Sequence, residues 1–168
     1  MELIFPTIEM KQAALAYRQE HFDLGEMIIH GDARLDETEV YEEWLEMIKT
    51  DLTRDDSHFV PATAYFAIVD SKIVGMLQIR HKLNDHLMVS GGHIGYGVRP
   101  SERRKGYATK MLALALEKCR GLGIDKVLVT CDKGNVGSAK TILNNGGVLE
   151  NELAENSGNV VQRYWIIL

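Results

Sequence analysis

Cysteine is scarce in this 168-residue chain. Cys119 and Cys131 are the only two, too few and wrongly spaced for a disulfide framework or a zinc site. Proline is scarcer than average: Pro6, Pro61 and Pro100 each fall near an expected element boundary, so no proline-rich linker divides the chain. Nowhere do 18 apolar residues run together, which excludes a membrane-spanning helix, and residues 1–10 lack the basic start and apolar stretch of a secretory signal. Positive charge is not in excess either. Nineteen Lys and Arg against 24 Asp and Glu leave a formal charge of −5, a balance that repels phosphate backbones and argues against a nucleic-acid partner. The expectation from these absences is a soluble cytoplasmic protein without a membrane, nucleic-acid or metal partner.

What is present is an ordinary globular composition, 45% hydrophobic and 26% charged, in a length suited to one domain over residues 1–168. Such a chain buries roughly 70% of the surface it exposes when unfolded. Residues 2–5 read as a strand. A helix capped by Thr7 is expected through about residue 20, and a second over 38–52, with Val40, Tyr41, Trp44, Leu45, Ile48 and Leu52 on one face. The acidic run from Asp36 to Glu43 reads as a solvated face with its acids suited to the helix start. Strands are predicted at 63–69, 73–80, 92–98 and 126–131, with a closing hairpin of 148–153 and 160–168 around the polar loop ENSGN. The clearest helix is 108–120, where Ala108, Met111, Leu112, Ala115, Leu116 and Cys119 keep helical spacing. A shorter one runs from about Gly137 to Asn144. The order β-α-α-β-β-β-α-β-α-β-β implies an α/β (α+β) mixed sheet with helices on both faces, not the strict alternation of a doubly wound fold.

Residues 91–109, GGHIGYGVRPSERRKGYAT, concentrate the chemistry. Gly91, Gly92, Gly95 and Gly97 fall within seven residues, a mark of a bulge or of close approach by another backbone. Arg99, Arg103, Arg104 and Lys105 then crowd ahead of Gly106 and the strongest helix. A helix start presents amides without internal partners and favours an anion, and Gly106 lets a ligand approach the main chain. Residues 103–108 are therefore suited to a phosphate or pyrophosphate. Neither G-x-x-x-x-G-K-[ST] nor G-x-G-x-x-G occurs.

Arg103-Arg104-Lys105-Gly106-Tyr107-Ala108 resembles the R/Q-x-x-G-x-G/A signature of the GNAT superfamily of N-acetyltransferases, with Val98-Arg99-Pro100 similar to the strand end before it and Asn135 to the asparagine that often follows the fifth strand. The resemblance implies a mostly antiparallel sheet of six to seven strands with a V-shaped split between two parallel central strands, here 92–98 and 126–131, where a bulge frees amides for the pantetheine arm of acetyl-CoA. It implies that main-chain groups near Val98 serve that arm, that the amides of Arg103, Arg104, Lys105, Gly106, Tyr107 and Ala108 hold the pyrophosphate with Thr109 nearby, and that Asn135 and Ser138 lie toward the thiol. Arg104 and Lys105 are alternative contacts to the adenosine phosphates. The implied reaction is direct acetyl transfer from the thioester to a primary amine of a small molecule or peptide, with no metal, and a homodimer is possible. The chain departs from the pattern at Ile142, where many members carry a tyrosine acid. His93 and Tyr96 are the nearest replacements, as base and acid, but period-2 alternation sets them on opposite faces unless a bulge shifts the register. A non-catalytic acyl-CoA-binding domain is the alternative. Cys119 is expected in the core, and Cys131 is expected to be packing rather than a nucleophile.

Overall fold

The computed structural model describes residues 1–155 and 157–168, so Asn156 of the expected ENSGN loop lies outside the described residues. These form seven strands and five α-helices: β1 (Glu2–Ile4), α1 (Lys11–Asp23), α2 (Tyr41–Asp51), β2 (Ala62–Val69), β3 (Lys72–Arg80), α3 (Asp85–Val89), β4 (Ile94–Val98), α4 (Tyr107–Gly121), β5 (Lys126–Asp132), α5 (Val136–Asn144), β6 (Val148–Ala154) and β7 (Val160–Ile167). The strands make two antiparallel sheets, ordered β1-β2-β3-β4 and β5-β7-β6. Helix α4 links β4 to β5, the crossover that parallel neighbours need, yet no ladder forms between them. They meet at one junction: the His93 amide donates to the Leu128 carbonyl at 2.7 Å and the Leu128 amide donates to His93 Nδ1 at 2.9 Å. The expected split is thus a seam between two sheets.

Helices cover both faces because alternate residues of β2 and β3 feed two cores. On one side Leu77, Ile79 and Ile94 pack with Met111, Leu112, Ala115 and Cys119 of α4 and with Ile142 of α5. On the other, Phe66 and Met76 pack with Tyr17 of α1 and with Trp44 and Ile48 of α2. The apolar stripe of α4 is buried throughout. Met111 and Leu112 each contribute about 1.5–3 kcal/mol by leaving water. Burial also pushes the Cys119 thiol up to about 11, which makes it an inert core residue.

Several local expectations change. Thr7 makes no side-chain cap. A 3-10 turn at Ile8–Met10 precedes α1, and the Thr7 carbonyl instead accepts from the Tyr41 hydroxyl at 2.8 Å. Helix α2 begins at Tyr41, so Val40 is extended and exposed rather than on the buried face. Asp36 does not belong to a solvated face, because its carboxylate accepts the Ile29 amide at 2.8 Å. Glu39, Glu42 and Glu43 are exposed as expected. Helix α3 was not expected from sequence. Its five residues are too few to show a period, and it is set by Asn84, whose side chain accepts the Leu87 amide at 3.0 Å.

The glycines of β4 do not make a bulge. Its ladder with β3 runs from Gly75↔Val98 to Ile79↔Ile94 without a register shift. The reason for glycine is close approach: the chain between α1 and α2 crosses β4, and a methyl group on Gly97 would lie 2.5 Å from the His30 carbonyl oxygen. That crossing segment is stapled by Asp32, whose carboxylate accepts the amides of Arg34 and Asp36 at 3.0 and 2.6 Å. Trp44 Nε1 anchors it further on the Ala33 carbonyl at 2.9 Å.

Candidate functional site

The turn into α4 is built by two residues with left-handed backbone, Arg104 at φ 64° and Gly106 at φ 79°. The first helical bond is Lys110 N–H to Gly106 at 3.2 Å. From Arg104 to Thr109, six consecutive amides find no acceptor among the described residues. An added methyl on Gly106 would meet nothing within 4 Å, and none of residues 104–109 is buried. A run of unpaired amides at a helix start has the geometry and dipole that suit an anion.

The basic residues around it are not the free positive patch that the sequence suggests. Arg99 holds Glu20 at 2.6 Å, Arg103 forks onto both oxygens of Glu26 at 2.6 Å, and Lys105 holds Glu102 at 2.7 Å. Hydrogen bonding by the Arg103 guanidinium holds the Glu26 carboxyl down at about 2. Arg104 alone of the four lacks a carboxylate partner among the described residues. Sequence reading missed Glu20 and Glu26 because they lie far away in the chain. Glu102, three residues before Lys105, was legible by spacing.

From that turn the open edge of β4 leads toward α5. Arg99 donates to Val74 at 2.8 Å and Arg80 donates to His93 at 2.8 Å. In an antiparallel ladder this fixes residues 93, 95, 97 and 99 as bonded to β3 and turns the main-chain groups of Ile94, Tyr96 and Val98 toward the seam. The Val98 carbonyl receives Arg103 Nε at 3.2 Å. The Tyr96 side chain lies on the α4 and α5 side, with its hydroxyl 2.8 Å from Ser138 Oγ. Burial pushes its pKa up to about 12. Ser138 sits in the first turn of α5, and Asn135 caps that helix by accepting the Ser138 amide at 3.0 Å. Cys131 is buried beside them, its thiol pushed up by burial. The structure therefore brings Tyr96, Asn135 and Ser138 together at one end of the seam and residues 103–109 at the start of α4. Ile142 is fully buried in the core.

His93 points the other way. It is 7% exposed, and its Nδ1 is committed to the Leu128 amide. Burial first, then the nearby Arg80 charge, depresses its pKa to about 4. The unfolded chain binds this proton near 6.5, so stability is full above pH 6.5 and falls as pH drops toward 4. Urea midpoints taken between pH 7 and pH 4 are expected to decline in the wild type. The decline is expected to be shallower in His93→Asn, whose amide oxygen can still accept from Leu128.

On the face opposite α4, a cavity of about 380 Å³ lies between residues 28–37, the ends of β2 and β3, and α3. Asp32 lines it with its carboxyl pushed up by burial and then by Asp36. Among the described residues, no group of His, Cys, Asp and Glu could hold a metal ion, and no helix is long and apolar enough to cross a membrane.

Residues 26–143 match the acetyltransferase (GNAT) family. The chain belongs to that family. Its fold is similar to that of the microcin C7 self-immunity acetyltransferase in complex with acetyl-CoA and AMP, at TM-score 0.72 and 16% identity over 99% of this chain and 91% of the other. It is also similar to a ribosomal L7/L12 α-N-protein acetyltransferase in complex with coenzyme A, at TM-score 0.72 and 16% identity over 99% and 93%. A spermidine N-acetyltransferase from Vibrio cholerae aligns at TM-score 0.69 and 14% identity over 99% and 95%. No curated protein matches the chain by sequence. This GNAT chain thus carries the family's fold, with the unpaired amides at the start of α4 and the start of α5 along one seam.

Proposed function

We propose that the protein is an acetyl-CoA-dependent N-acetyltransferase acting on a primary amine in the cytoplasm. The run of six unpaired amides at the start of α4, continuous with the open edge of β4, carries this reading. The amides of Arg104 to Thr109 suit a pyrophosphate, with the Arg104 side chain as the free cation beside them. The main-chain groups of Tyr96 and Val98 suit the pantetheine arm, received as an added strand. That path ends at Tyr96, Ser138 and Asn135, where the thioester would lie.

The amine nitrogen attacks the thioester carbonyl, a C–N bond forms, the C–S bond breaks and the electron pair leaves on sulfur. Tyr96 and Ser138 form one hydrogen-bonded pair there, acting as a unit in which one hydroxyl donates a proton to the departing thiolate while the other holds it in place. The amine must arrive neutral, since an alkylammonium loses its proton only near ~10.4. His93 is a poor base for that step, because its nitrogen with a pKa of about 4 is far too weakly basic and Nδ1 holds Leu128. We assign it to the junction and the proton to solvent water. Holding both reactants in the seam supplies much of the rate.

Tyr96→Phe and Ser138→Ala are each expected to lower kcat by about 100-fold while CoA affinity stays within about threefold. The double variant should be little worse than either single one, as for groups acting as a unit. Free-thiol release with an amine panel and calorimetry with CoA measure the two. Parallel loss of binding and turnover would reassign the pair to the fold.

A further inference from the structure

Arg80 ends β3 and lines the cavity on the face opposite α4. Its position next to the seam is fixed by two bonds: Nη1 donates to the carbonyls of Gly91 and Gly92 at 3.0 and 3.1 Å. Methyl groups added to Gly91 and Gly95 would lie 3.6 and 3.8 Å from that same nitrogen. The Nη1 end of the guanidinium therefore lies against the glycine face of β4, beside the His93–Leu128 junction. With Nη1 used, the remaining Nε–Nη2 edge has no acceptor among the described residues. That edge is a two-toothed fork of the shape that grips a carboxylate.

Four acids share the cavity and none hydrogen-bonds Arg80 among the described residues; Glu37 is exposed to solvent. Asp32 has both oxygens on the amides of Arg34 and Asp36, Asp36 holds the Ile29 amide, and Asp51 pairs with the Arg34 guanidinium at 2.6 Å. Asp51 is 5% exposed, and its Oδ1 has no hydrogen-bond partner among the described residues. One cavity thus offers a cation with a free fork and a buried carboxylate with a free oxygen. The lone Asp51 oxygen is costly unless something completes it, whereas Nε and Nη2 of Arg80 are not among the buried unpartnered atoms and reach solvent. Burial alone lowers the pKa of Arg80, in keeping with a cation that pairs with no carboxylate among the described residues.

We infer that the acceptor is a small amine that also bears a carboxylate, and that the Nε–Nη2 edge of Arg80 binds that carboxylate on the acceptor side of the seam. This deepens the N-acetyltransferase reading and rests on it. A carboxylate anchored beside the junction leaves an amine one or two bonds away free to enter the seam. Arg80 is then a specificity residue, and the carbonyls of Gly91 and Gly92 set its direction.

The test pairs amines that differ only in the carboxylate: lysine with cadaverine, and phenylalanine with phenethylamine, with O-phosphoethanolamine as the phosphate-bearing arm. Turnover by thiol release and binding to the CoA-loaded protein by calorimetry are measured for the wild type and for Arg80→Lys, which keeps the charge and loses the fork. In the wild type the carboxylate member of at least one pair is expected to exceed its partner by at least about tenfold in kcat/KM or affinity. In Arg80→Lys that ratio should fall below about threefold while CoA affinity holds. Because Arg80 also braces Gly91 and Gly92, a variant that loses CoA binding is replaced by Arg80→Gln, which can still donate to one carbonyl. Decarboxylated amines equal to or better than their partners overturn the inference. So does preference for the phosphate arm, an unchanged ratio in both folded variants, or no carboxylate binding to the CoA-loaded wild type. Failure of the wild type to bind CoA would instead strike the acyltransferase reading beneath it.

Discussion

Gly106→Glu is expected to weaken CoA binding about 100-fold while leaving the protein folded. Two effects meet at this residue, and they separate cleanly. The first is conformational. Gly106 sits at φ 79°, where a side chain costs about 1–2 kcal/mol, a shift in Tm of roughly 2–8 °C for a chain of this length. No steric cost is added, because a methyl group there would meet nothing within 4 Å. The second is electrostatic and acts only on the ligand. A carboxylate placed among six unpaired amides competes for them and repels a pyrophosphate. One pair of like charges at 4 Å costs between ~1 kcal/mol in water and ~4 kcal/mol at an effective dielectric of 20, and the middle of that range is about 100-fold in Kd. Gly106→Ala carries the same backbone cost without the charge, so its Tm should match while its CoA affinity falls far less. Calorimetry on the two variants beside thermal melts decides it. Unchanged affinity in a folded Gly106→Glu would remove the pyrophosphate from this turn.

The local environment explains which parts of this site the sequence could announce. The open amides at the start of α4 were legible because what leaves them unpaired is local: Gly106, the amides around it and the apolar stripe of α4 lie within twenty residues. The same held for Asn135 and Ser138, three apart at the start of one helix. The charge state of the loop was not legible. Its neutralising partners Glu20 and Glu26 come from α1 and the chain just after it, some 80 residues away, and their meeting is a product of the fold. The β4 glycines announced something real but ambiguous. Sequence alone cannot distinguish a bulge from a crossing chain, and the crossing chain at His30 and Gly31 proved to be the cause. His93 misled because a histidine in a glycine-rich strand beside a catalytic signature invites a catalytic role. Its use as an acceptor for Leu128 depends on β5, 35 residues on. The cavity opposite α4 was invisible because Arg80, Asp51 and Gly31 come from three separate elements with no shared motif.

Gly31 supports the last prediction, since it seats the cavity wall on the sheet. Three backbone atoms crowd it: an added methyl would lie 2.5 Å from Tyr96 Cα, 2.6 Å from Tyr96 N and 2.6 Å from the Gly95 carbonyl oxygen, at φ 80°. None of these can rotate away as a side chain end would. Gly31→Ala therefore combines a left-handed backbone cost of about 1–2 kcal/mol with an overpacking cost of about 1–3 kcal/mol, and a loss near 3 kcal/mol is expected in urea unfolding. Gly25 supplies the control on the same connection: its φ is 76°, and a methyl there would meet nothing within 4 Å, so Gly25→Ala should lose only the backbone part. The functional consequence follows the geometry. Lifting residues 28–34 off β4 displaces one wall of the cavity and leaves the amides of α4 untouched. Gly31→Ala should thus raise the acceptor KM at least about tenfold and, because the methyl presses on Tyr96 of the pantetheine path, weaken CoA binding as well, but by less. Equal destabilisation by the two alanines would show that the crossing segment is not seated on Tyr96.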